Sequence, residues 1–145
     1  MFYYTLFDTP KILTKKYIQS VGRALEEVTK IPQKGSINII AVSLEEITRL
    51  NTQYRGKKGA TDILTFPYLE SVQTEKDIAG EIYLCLEKIK LYASERGTTY
   101  KEQLQYIIIH GMVHMMGYDH EREKDAQKME EVEQKIHTIL MEKGL

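Results

Sequence analysis

Apolar positions recur along this chain in two rhythms, every second residue and every third or fourth, and the changes of rhythm mark its elements. FYYTLF, close to the start, reads as a first strand closed by Asp8 and Pro10. Over residues 11–30, Leu13, Tyr17, Val21, Ala24 and Val28 are spaced by three or four, which predicts a helix. SINIIAVS (36–43) is short and β-branched, a second strand. Ser43 then opens SLEE, a capping-box pattern in which Glu46 can return to the Ser43 amide, so a helix is expected to about Tyr54.

TDILTFPY (61–68) is extended and stopped by Pro67, which suits an edge strand because proline cannot donate to a ladder. DIAGEIYLCL alternates, with Ile78, Gly80, Ile82, Leu84 and Leu86 on one face and Ala79, Glu81, Tyr83 and Cys85 on the other. A helix from about Glu87 to Arg96 ends at Gly97. Thr99 and Glu102 form a second capping box, for a helix running to Met116 with Gly117 placed to end it. The last helix spans about 122–143, with Met129, Val132, Ile136 and Ile139 or Leu140 on its buried side. Strands and helices are interspersed and no linker or repeat divides them. The order predicts one α+β domain over residues 1–145, a small mixed sheet covered by helices.

Composition adds limits. At 42% hydrophobic and 28% charged residues over 145 positions, the chain can bury a core, so a disordered protein is excluded. Cys85 is the one cysteine, which rules out an internal disulfide and fits a reducing compartment. The opening residues lack a basic start ahead of an apolar run, and no apolar run approaches a membrane span. A cytoplasmic protein without a membrane partner is the expectation. The net charge of −1 hides an asymmetry: residues 1–60 carry 10 Lys+Arg against 5 Asp+Glu, and residues 61–145 carry 10 against 16. A basic face toward RNA and scattered surface charge are equally compatible with that split.

The chemistry concentrates in HGMVHMMGYDH, which holds three of the four histidines within eleven residues. His110 and His114 are one helical turn apart and can aim their imidazoles at a common point. Gly117 allows a sharp reversal through a left-handed conformation, after which His120 can fold back as a third ligand. Imidazole ligands favour one zinc ion, although iron, nickel or cobalt would accept the same set. Three protein ligands leave a fourth position for water, the arrangement of a catalytic rather than a structural site. Asp119 could ligate or could orient a histidine; orientation is the expected role. Zinc proteases with this spacing carry a glutamate base directly after the first histidine, and here that position is Gly111. The segment thus predicts a zincin-like metal-site helix without the protease base.

HGMVHMMGYDH closely resembles the HGxLHLxGYDH element of the YbeY family of bacterial endoribonucleases, also described as rRNA maturation factors, with apolar Val113 and Met115 at two leucine-like positions. NTQYRGKKGATDILTFPY (51–68) and AGEIYLC (79–85) resemble two further family elements in the family's order, with Ile63, Thr65 and Glu81 as mild departures. The resemblance implies a zinc site at His110, His114 and His120 and a functional arginine at Arg55. It implies cleavage of single-stranded RNA and maturation of the 3′ end of small-subunit rRNA. It further implies contacts with the ribosome, a small-subunit ribosomal protein and an Era-type GTPase.

Phosphodiester cleavage builds charge on phosphoryl oxygens, which a metal and the Arg55 guanidinium can stabilise together. Lys57 and Lys58 complete RGKK, a cationic loop suited to phosphates or simply to solvent. Tyr54, Phe66 and Tyr68 could stack on bases but are expected to pack, and Cys85 and His137 are assigned to structure. The attacking group, a zinc-bound hydroxide or the RNA 2′-hydroxyl, stays open. Two competing readings remain: a zincin-like peptidase or amidase with a base from elsewhere, and a non-enzymatic ribosome-assembly factor stabilised by its metal.

Overall fold

A computed structural model describes all 145 residues, in the order β1 (Tyr3–Phe7), α1 (Lys15–Thr29), β2 (Ser36–Val42), α2 (Leu44–Arg55), β3 (Ile63–Pro67), β4 (Ile78–Cys85), α3 (Leu86–Arg96), α4 (Tyr100–Met115) and α5 (Glu123–Glu142). A short 3-10 turn at Leu69–Ser71 was not expected. The four strands form one sheet in the order β1-β2-β4-β3. β1, β2 and β4 run parallel, while β3 pairs antiparallel with β4 at the edge. The fold is therefore the expected α+β class with a mixed sheet, and the proline-terminated strand is indeed at an edge.

Two helical layers sandwich this sheet. On one face Ile37, Ile39, Ile82 and Leu84 join apolar residues of α1, α4 and α5 in the main core. On the other face Ile47 and Leu50 of α2 pack on Leu64 and Cys85, burying the cysteine as assigned. No helix is long and apolar enough to cross a membrane.

Local chemistry moves several expected boundaries. α1 starts at Lys15 rather than residue 11, because the Thr14 side chain accepts the Tyr17 amide and caps the helix there. The Thr99–Glu102 capping box is complete. That at Ser43 is only half formed, since the Glu46 carboxylate turns to Arg49 at 2.7 Å instead. The alternation of β4 also breaks. Ser36 pairs with Ile78 but Ile37 with Gly80, so Ala79 is an extra residue in a bulge. Ala79 consequently points into the main core, and Ile78, which the alternation groups with Ile82 and Leu84, is 46% exposed.

Candidate active site

One cleft of about 610 Å³ gathers Arg55, His110, His114 and His120, a size ordinary for a ligand site. α4 provides the first two histidines, one turn apart. Gly117, at φ +99°, reverses the chain as expected and brings His120 back from the loop. Arg55 is the last residue of α2, ended by Gly56 in the left-handed conformation. Lys57 and Lys58 follow in an exposed loop and are not among the cleft's walls.

The hydrogen bonds fix which imidazole nitrogens remain available. His110 Nδ1 lies 2.9 Å from Oε1 of Glu133, and His114 Nδ1 lies 2.8 Å from the Tyr118 carbonyl. A carboxylate and a carbonyl only accept, so each Nδ1 carries a proton, and in the neutral imidazole Nε2 is then the nitrogen with the free lone pair. Metal-bound histidines have this arrangement, with the outer nitrogen donating to a carboxylate or carbonyl. The His110 ring also lies nearly parallel to Tyr106, at 15° and 6.3 Å between centroids.

His120 is less settled. Its side chain is 56% exposed, and its ring stands 5.7 Å from His110 and 6.2 Å from His114. Metal–nitrogen bonds of about 2.0 Å in a tetrahedron place ring centroids roughly 5 Å apart. As they stand, no three His, Cys, Asp or Glu side chains converge tightly enough to hold an ion. The donor set fits a metal, and the three rings have to draw closer to share one ion.

Asp119 does not take the expected role of orienting a histidine ring. Its Oδ1 accepts the backbone amides of His120 at 2.7 Å and Glu121 at 3.2 Å, and reaches His120 Nδ1 only at 3.7 Å. Desolvation pushes its pKa up, but the Glu121 and His120 amides and the two nearby imidazoles outweigh that and hold the carboxyl below its usual value. Asp119 pins the loop, and Glu133 is the carboxylate behind a histidine.

Gly111 has a steric reason beyond the missing base. A Cβ there would come 2.5 Å from Ile63 Cδ1, because α4 crosses β3 closely at this point. We expect Gly111→Val to overpack the contact and lower stability by about 1–3 kcal/mol, read by thermal unfolding. Adding Ile63→Ala should recover most of that loss.

The remaining walls include Arg96, Asp62 and Glu121, along with Tyr54 and Phe66, which meet edge to face at 5.6 Å. Tyr54 is 60% exposed, so it is not the packing residue expected from the sequence. Glu133 and Arg96 went unnoticed there. The signal for Glu133 was a carboxylate on the stripe of Met129, Ile136 and Leu140, where it is only 8% exposed.

Comparison with known proteins identifies the family. The profile of the family described as "Endoribonuclease YbeY" matches residues 6–141. Endoribonuclease YbeY of Thermotoga maritima is 39% identical over 123 residues, covering 83% of this chain and 78% of the relative. That of Thermosipho melanesiensis is 33% identical, covering 95% and 96%. A solution structure of a Thermotoga maritima protein superposes with a TM-score of 0.59 at 31% identity, over 97% of this chain and 93% of that one. From residue 6 to residue 141, this chain belongs to the endoribonuclease YbeY family.

Proposed function

We propose that the chain, as one domain over residues 1–145, is a metal-dependent endoribonuclease that cuts single-stranded RNA in its histidine cleft. The observation that carries this is the pair of free Nε2 lone pairs on His110 and His114 in a cleft shared with Arg55. His110, His114 and His120 would hold one divalent ion, zinc by ligand chemistry. Such an ion would supply Lewis-acid stabilisation of the phosphoryl oxygens and could lower the pKa of the attacking hydroxyl, whether of water or of the RNA.

Electrostatics supports the ion. The cleft walls carry two arginines, Arg55 and Arg96, against three carboxylates, Asp62, Asp119 and Glu121. With neutral imidazoles the lining is therefore net negative and ill suited to phosphate. A divalent cation reverses the sign.

The chain's own groups then have distinct tasks. Glu133 and the Tyr118 carbonyl hold the two helical imidazoles in one tautomer and orientation. Asp119 keeps the His120 loop folded. Arg55, exposed and without a carboxylate within ion-pair distance, is free to stabilise charge on the phosphoryl oxygens. Tyr54 and Phe66 offer ring edges and faces to unpaired bases. Lys57 and Lys58 act outside the cleft, on the flanking backbone of the strand. The family resemblance supports a role in 3′ maturation of small-subunit rRNA, with the ribosome, a small-subunit ribosomal protein and an Era-type GTPase as partners. The single free cysteine suits the cytoplasm.

The test is cleavage of single-stranded RNA, duplex RNA and an unfolded protein by zinc-loaded protein and by His114→Ala. Single-strand cleavage lost in the variant supports the reading. Protein cleavage lost in the variant favours a peptidase instead, and a variant that only unfolds more readily favours a structural metal. Arg55→Ala is expected to keep its ion, measured by metal analysis, while cleavage falls by about 10²–10³-fold. Full activity in that variant would remove Arg55 from the catalytic groups.

A further inference from the structure

A second cavity, of about 650 Å³, shares two wall residues with the cleft, Arg96 and Tyr106. Its walls also include His137, Leu140 and Gln103. Three features point to a ligand there.

The first is a series of near-parallel rings. Tyr106 lies at 15° to His110 of the cleft and at 17° to His137 of the second cavity, with centroids 6.3 and 6.4 Å away. His137, read from the sequence as structural, thus shares a ring system with a proposed metal ligand.

The second is Gln103. It is 3% exposed, yet its Nε2 has no acceptor, and its Oε1 receives only a 3.5 Å contact from Thr98 Oγ1. A buried unpaired amide N–H is costly, and little else in this fold is left so. Turning the amide over leaves one of its two atoms unmatched in either orientation.

The third is Arg96, in the last turn of α3. It is exposed, has no carboxylate within ion-pair distance and lies over the Tyr92 ring at 5.5 Å. The carboxylate of the second cavity, Glu102, is already engaged by the Thr99 hydroxyl at 2.9 Å.

We propose that the second cavity is a nucleobase subsite on the RNA track. A base of the strand lies against Tyr106 and His137, its edge meets the Gln103 amide, and Arg96 binds the phosphate joining that nucleotide to the one in the cleft. A nucleobase supplies what the wall lacks, a flat π-face with donors and acceptors along its edge, so it can match either orientation of the amide. The inference rests on the reading of the cleft as an RNA site and adds a position for a second nucleotide. A free mononucleotide offers the same chemistry, and the test separates the two sources.

The measurement is binding of a fluorescent single-stranded RNA decamer with cleavage-resistant 2′-O-methyl phosphorothioate linkages to zinc-loaded protein. Gln103→Leu replaces the unmatched amide with an apolar group of similar size, so the variant should melt at or above the wild-type temperature. Its dissociation constant for the decamer should rise about tenfold. Arg96→Gln should weaken binding as well, and flatten the slope of log affinity against log salt by about 0.7, the loss of one phosphate contact. Wild-type affinity for the decamer in both variants overturns the subsite and leaves the cleft reading intact. Mononucleotide binding lost in Gln103→Leu, with decamer binding unmoved, also overturns it, in favour of a free-nucleotide site. A wild-type protein that binds no RNA overturns the cleft reading and the subsite with it.

Discussion

His114→Ala should reduce RNA cleavage by at least about 10³-fold, more than the removal of a single charge-stabilising donor typically costs. The argument starts from position. His114 is held by the Tyr118 carbonyl with Nε2 free, and it lies on a rigid helix whose preceding turn carries His110. Its neighbours on α4, Val113 and Met115, are buried in the core, so the helix does not depend on the imidazole for its packing. The variant should therefore fold, as circular dichroism would show, while binding no stoichiometric ion. Two imidazoles would remain, and one of them, His120, sits on an exposed loop. Equal cleavage by variant and wild type would trace the activity to a contaminant.

Glu133→Ala has the second largest expected effect, and it acts through His110. Without the carboxylate 2.9 Å from Nδ1, the ring loses both its fixed tautomer and some of its basicity at Nε2. Ion affinity should fall by about 10–100-fold, measured by competition with a chromophoric chelator. Glu133→Gln keeps an acceptor oxygen but not the charge, so its loss should be intermediate, and that graded order identifies orientation rather than packing. Removing the carboxylate also leaves the partly buried His110 Nδ1–H without its acceptor, so the metal-free melting temperature should fall somewhat as well, and ion affinity is measured well below it. An alanine variant with wild-type ion affinity would show that Glu133 is merely tolerated in the core.

These two residues also show what could be read from the chain before any coordinates. His110 and His114 were legible because the helix makes their spacing a distance: four residues apart is one turn, and the capped start at Thr99 sets that helix in place. Gly117 and His120 followed from the same local logic. Glu133 lies 23 residues from His110 on another helix, and only the packing of α4 on α5 joins them. Its trace in the sequence was a carboxylate in register with Met129, Ile136 and Leu140, and the apolar pattern drew attention to Val132 instead.

Arg96 reaches the cleft for a similar reason, through tertiary packing of α3 on α4 that no local spacing encodes. Tyr106, by contrast, stands one turn before His110 on the same helix and was legible by the same spacing. The sheet divides the same way. β3 as an edge strand followed from Pro67, but the insertion of β2 between β1 and β4 rests on parallel pairings over long sequence separations. The bulge at Ala79 is a register effect between two strands, so alternation within β4 alone could not reveal it. Gly111 looked like a missing base, and the structure adds that a Cβ there would press on the Ile63 Cδ1 methyl and oblige it to shift.

The central claim is that one ion at His110, His114 and His120 makes this cleft an endoribonuclease. The most direct measurement is a zinc titration of metal-stripped protein against a single-stranded RNA substrate. Cleavage should be absent in chelator, rise with added zinc and level off at one ion per chain, and His114→Ala should show no such rise. Full-rate cleavage by the stripped protein in chelator would contradict it.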